Sequence, residues 1–99
     1  MTGQVFHPGH HELHGVTVVL ETHGLTTYLG RFDTQDESGV HLLDVGVHQA
    51  TPEGQSKEEY IRRSARFGIR PEQKRVVVPL AEVASIMRLA DIEPQEAGL

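Results

Sequence analysis

The stretch that decides the fold runs Gly15-Val-Thr-Val-Val-Leu-Glu-Thr-His-Gly24, Leu25-Thr-Thr-Tyr-Leu-Gly-Arg-Phe-Asp33, and, after a polar break, Gly39-Val-His-Leu-Leu-Asp-Val-Gly-Val47. Three runs rich in β-branched and aromatic residues are separated by His23-Gly24 and by the segment Thr34 to Gly39. That is the pattern of a three-stranded antiparallel meander. A period of two puts Val16, Val18 and Leu20 on one face of the first run, and Tyr28, Gly30 and Phe32 on one face of the second. His23-Gly24 reads as the tight turn, with glycine free to take positive φ. Gly30, in the middle of a strand, marks a bend or bulge, the device by which a small sheet curls into a barrel.

Downstream, residues 49–56 are loop by composition, and Ser56-Lys-Glu-Glu59 matches the capping box, a serine N-cap with glutamate three residues on. The spacing predicts a helix over Lys57 to Phe67, ended by Gly68, with Tyr60, Ile61, Ser64, Ala65 and Phe67 as its buried stripe. Glu58 with Arg62 and Glu59 with Arg63 stand at i, i+4 in the favourable order. Arg75-Val-Val-Val-Pro79 is a short strand closed by proline. Leu80-Ala-Glu82 reads as a single turn and Val83 to Leu89 as a fifth strand, with a helix over Leu80 to Leu89 as the competing assignment. The expected architecture is mostly β: a five-stranded SH3-like barrel with one α-helix inserted between the third and fourth strands. Barrel residues span 15–89 with the helical insertion at 56–68, between an N-terminal histidine-containing tail (1–14) and a C-terminal tail (90–99).

At 99 residues the chain is one domain with a modest core, so help from self-association is expected. Cysteine is absent, which removes disulfides and thiolate metal sites. The first residues show neither a basic nor an apolar leader region, and no apolar run nears the roughly 20 residues of a membrane span. A cytoplasmic protein is expected. Net charge is −5, which argues against indiscriminate nucleic-acid binding. Residues 57–75 nevertheless hold seven of the nine Lys and Arg against three acids, a local +4 that leaves −9 for the remainder.

The motif order resembles Sm and Sm-like proteins. Gly24, Gly30-Arg31-Phe32, Asp36 and Val40 to Asp44 look like the first conserved block of that family, and Val76 to Ile86 stands where the second would be. The resemblance implies a small barrel that assembles into rings, the fourth strand of one subunit pairing with the fifth of the next around an RNA-binding pore. Asp36 matches the family's pocket aspartate. The pocket asparagine would fall on Gly39 or Val40, and the Arg-Gly pair on Pro79 and Leu80. The resemblance therefore supports the fold and ring assembly, and these departures put the standard RNA pocket in doubt.

The first functional expectation is a non-catalytic homo-oligomer that serves as an assembly or interaction module. The alternative is RNA binding by the basic segment through Arg62, Arg63, Arg66, Arg70, Lys74 and Arg75, with Tyr60 or Phe67 for stacking. A third reading is metal binding: His10, Glu12 and His14 alternate onto one face if the N-terminal segment is extended. No phosphate loop, nucleophile motif or carboxylate pair marks an enzyme, and no cofactor is expected. Asp33 and Asp36 read as turn residues, His41 and His48 as exposed strand histidines, and Arg31 as an outward strand residue that a ring interface would pair.

Overall fold

A computed structural model describes residues 12–93. The described chain runs β1 (Thr17–Thr22), β2 (Thr26–Asp36), β3 (Gly39–Gln49), α1 (Lys57–Phe67), β4 (Gln73–Val78), a 3₁₀ turn (Leu80–Glu82), β5 (Val83–Arg88) and a second 3₁₀ turn (Leu89–Asp91). All five strands lie in one antiparallel sheet of order β4-β3-β2-β1-β5. The meander, the inserted helix and the turn before β5 stand where the sequence places them, so the competing helix over Leu80 to Leu89 does not form. The sheet is not closed, because β4 and β5 are its two edges and do not pair with each other.

Strand periodicity explains the packing. Val18 and Leu20 of β1, Phe32 of β2, Val40, Leu42 and Val45 of β3, Val78 of β4 and Val83 of β5 share one buried cluster. Residues from both edge strands therefore meet around one core, and the sheet wraps around it. The alternate residue of β1, Val19, faces the opposite way and packs with Leu29 and Ile61 in a second cluster, flanked by Tyr60, Ile69, Leu89 and Ile92. β1 is thus covered on both faces, and the helix lies on the outside of the curl. The fold continues past β5, since Leu89 and Ile92 join this second cluster.

The bend in the sheet sits at Gly30. Opposite it, Asp44 takes a left-handed conformation with φ 52°, and the register between β2 and β3 shifts between Leu29 and Arg31. A side chain at Gly30 would stand 3.0 Å from Val45 Cγ2 and 3.1 Å from the Leu43 carbonyl oxygen, so glycine permits the close approach. A second shift follows between Phe32 and Thr34, leaving Asp33 as the extra residue. The turn after β1 differs from expectation. It spans His23 to Leu25, and Gly24 is not among the residues of positive φ. Thr22 holds it instead: its hydroxyl donates to the Thr26 carbonyl (2.6 Å) and accepts from the Gly24 amide (3.3 Å).

The helix begins with the expected box, Ser56 Oγ accepting from the Glu59 amide and Glu59 Oε1 from the Ser56 amide, both at 3.1 Å. Gly68, with φ 93°, ends it. Lys57 Nζ ties the first turn to β1 by donating to Glu21 Oε1 at 2.9 Å, and that hydrogen bond raises the Lys57 pKa. Among the described residues no helix is long and apolar enough to cross a membrane.

Candidate functional site

The basic segment divides into two parts. Arg62, Arg63 and Arg66 stand on the exposed side of α1, and the pairs expected with Glu58 and Glu59 are not formed. Glu59 is committed to the helix cap instead. Phe67, expected in the buried stripe, is 66% exposed. The guanidiniums of Arg63 and Arg66 lie 5.8 Å and 5.1 Å from its ring centroid. The stripe that does pack is Ile61 and Ser64, both buried, with Tyr60 half-buried.

An open groove of about 920 Å³ runs between the C-terminal half of α1 and the segment Ile69 to Glu72. Tyr60, Arg63, Phe67 and Arg70 line it, so four of the residues expected to contact RNA share one groove. Arg62 and Arg66 are not among its lining residues, while Lys74 and Arg75 belong to β4. The groove floor rests on Gly46, where a side chain would stand 2.7 Å from the Tyr60 hydroxyl and 2.9 Å from Ile69 Cγ2. The Tyr60 ring stacks on His48 with centroids 4.7 Å apart and planes 15° from parallel. Burial, and then the nearby Glu72 carboxylate, push the Tyr60 phenol pKa up. His48 is accordingly half-buried rather than an exposed strand histidine, and its Nε2 is buried without a hydrogen-bond partner.

Arg75 belongs to a different cluster, at the start of β3. Asp36 Oδ1 accepts from the Ser38 amide (2.9 Å), the Ser38 hydroxyl (2.8 Å) and His41 Nε2 (3.0 Å). Arg75 Nη1 lies 3.3 Å from His41 Nδ1. A guanidinium only donates, so Nδ1 accepts and Nε2 carries the proton given to Asp36. Arg75 Nη2 also stands 3.9 Å from Asp33 Oδ2, and His14 Nδ1 donates to the Asp33 backbone carbonyl at 2.7 Å. Asp36 is the turn residue expected. Asp33 is instead a bulged strand residue facing Arg75 and His14, and His41 is largely covered, its side chain 14% exposed. The β3–β4 register builds this cluster: Leu43 pairs with Arg75 and His41 with Val77, making His41 and Arg75 diagonal neighbours on one face.

Hydrogen bonds from His41 and then Ser38 lower the Asp36 pKa from 3.8 to about 2. A carboxylate depressed on folding adds stability above its unfolded pKa and loses it as pH falls through the folded one. Asp36→Asn keeps the shape and an acceptor for the Ser38 amide but removes the charge. The melting temperature of the native chain is expected to exceed that of the variant at neutral pH. The gap should close as pH falls from 3.8 to about 2, as followed by thermal unfolding at stepped pH.

Of the expected metal ligands, His10 lies outside the described residues. Glu12 is exposed, and His14 Nδ1 is occupied by the Asp33 carbonyl. Among the described residues no group of three or more His, Cys, Asp or Glu is placed to hold a metal ion. Arg31 is the outward, exposed strand residue expected, and it pairs within the chain with Asp44 at 3.1 Å. Gly39, one of the two positions where the resemblance would place an asparagine, has no room for a side chain. A Cβ there would stand 2.1 Å from the Val78 carbonyl oxygen.

The two sheet edges are the remaining candidate surface. β4 and β5 are six residues each, and within the described residues each pairs on one side only. Neither Val76–Val78 nor Val83–Met87 contains a charged residue. Val77 (38%) on β4, Met87 (42%) on β5 and Leu80 (39%) in the turn between them expose apolar side chains. The resemblance implies contact through the fourth and fifth strands but does not single out these three residues. Their exposure depends on which alternate residues the curl turns inward. No family model matches the chain, and no curated protein matches it in sequence.

Proposed function

We propose that the chain is a non-catalytic, Sm-like small-barrel module that assembles with copies of itself, the β4 edge of one copy meeting the β5 edge of the next. The observation that carries this reading is the two edge strands of equal length, each paired on one side only among the described residues, with the uncharged stretches Val76–Val78 and Val83–Met87 and with Val77 and Met87 exposed on them. An edge strand offers a row of unsatisfied amides and carbonyls, and folded proteins ordinarily blunt such edges with charge, proline or a covering element. Lys74 and Arg75 at the start of β4, Arg88 at the end of β5 and Pro79 after β4 confine these devices to the strand ends, and Val76–Val78 and Val83–Met87 carry neither charge nor proline. Two different edges on one chain make a head-to-tail contact, which closes into a ring when the rotation between copies allows. The strand order, the bend at Gly30 and the turn before β5 support the small-barrel reading.

Val77→Lys combined with Met87→Lys tests this directly. Both side chains are exposed, so the folded monomer tolerates the change, while lysine on each edge opposes strand pairing. The double variant is expected to sediment at the monomer mass of 11.0 kDa under conditions where the native chain sediments as a multiple of it. Equal masses for the two would remove the edges as the site of assembly.

A further inference from the structure

We infer that the groove beside α1 is a binding site for single-stranded nucleic acid, with a base stacked in the groove and its flanking phosphates on guanidiniums. The inference rests on the fold of one chain and not on self-association. Three observations converge on it. Phe67 presents 66% of its surface to solvent, with guanidinium groups 5.8 Å and 5.1 Å from its ring centroid. An exposed ring flanked by cations is the arrangement on which an unpaired base stacks while its phosphates meet positive charge. The groove lining also carries a net positive charge, Arg63 and Arg70 against Glu72. None of the ion pairs among the described residues involves Arg62, Arg63 or Arg70, although the segment is +4 in a chain of net −5. Finally, Tyr60 and Phe67 share the groove with Arg63 and Arg70.

The chemistry selects among polyanions. The one carboxylate in the lining, Glu72, accepts from the Val47 amide at 3.5 Å. An acidic peptide would use the arginines but has no need of an exposed aromatic face. A duplex keeps its bases paired and is read by shape across its grooves, which a single short wall does not span. An unpaired strand uses both features. Its backbone distinguishes RNA from DNA through the 2′-hydroxyl, and the two serve as separate arms of the test.

Fluorescence anisotropy on the full chain, with a labelled oligomer of about ten uridines and its deoxythymidine counterpart, reads the binding at salt of about 50 and about 200 mM. A base-paired hairpin and an oligoglutamate peptide are the competitors. Phe67→Ala is expected to weaken binding between about 5- and about 150-fold, the effect of losing one stacked base, and Phe67→Tyr to restore most of it. Arg63→Gln with Arg70→Gln should lower the slope of log affinity against log salt by about 1.4. Arg31→Gln, a change outside the groove lining, should leave both quantities unchanged. All of these positions are exposed, so melting temperatures report whether the fold is intact. No binding at low salt overturns the inference, as does binding that neither groove variant weakens. Displacement by the peptide at least as readily as by unlabelled strand assigns the groove to acidic proteins and likewise overturns it.

Discussion

Gly39→Ala is expected to leave the chain largely unfolded at room temperature. Gly39 opens β3 with φ 134°, a conformation that residues with a side chain rarely adopt. The added Cβ would also meet the Val78 carbonyl oxygen at 2.1 Å, its carbon at 2.7 Å and Pro79 Cα at 3.0 Å. These are backbone atoms at the end of β4, held by the pairing of Val40 with Val78 and by the burial of Val78, so no side chain can swing away. Backbone strain and overpacking each cost about 1–3 kcal/mol, and together they approach the 5–15 kcal/mol that separates most folded domains from unfolded ones. Urea unfolding followed by circular dichroism measures it. A midpoint within error of the native chain would mean that the hairpin and the β4 end do not abut.

Gly46→Val is expected to lift α1 from the sheet without unfolding β1 to β3. The new side chain would meet Tyr60 Oη and Ile69 Cγ2 at under 3 Å and the Arg70 carbonyl oxygen at 3.2 Å. The first two atoms can yield, the third is backbone, and overpacking of this kind costs about 1–3 kcal/mol. Tyr60 supplies a specific readout. Its phenol pKa is raised by burial first and by Glu72 second, so a displaced Tyr60 should titrate closer to the ordinary tyrosine value in an ultraviolet absorbance titration. The same displacement should weaken oligonucleotide binding, because Tyr60 forms part of the groove. An unchanged tyrosine titration would separate the helix from the β3 face on which it rests.

What the sequence reveals of this fold is what local physics controls. Alternation in residues 15–47, the serine and glutamate of the capping box, and Gly68 after the helix each act within a few residues, and each stands where it is read. Pro79 is placed the same way, and the short turn after it follows. Contacts set by register are not legible in this way. His41 and Arg75 are 34 positions apart and meet only because Leu43 pairs with Arg75. Glu59 had two competing partners, the Ser56 amide and Arg63, and the helix cap took it. Phe67 fits the spacing of a buried stripe but falls on the last turn, beyond the reach of the sheet, and stands exposed. The basic segment reads as one surface in the sequence because its charges are contiguous. The chain turns between Arg70 and Lys74 and so divides them between a helix-side groove and a strand.

The proposed assembly links these parts. Each copy would contribute one groove, and a chain of copies joined edge to edge would present the grooves at a fixed repeat. Strands long enough to reach two grooves would then bind more tightly than short ones with no new contact within each site.

The most direct measurement of the central claim is the mass of the native chain in solution, by light scattering behind size exclusion, at tens of micromolar protein. A mass several times 11.0 kDa, unchanged by dilution over that range, is the predicted result. A mass of 11.0 kDa throughout would contradict assembly through the edges of β4 and β5.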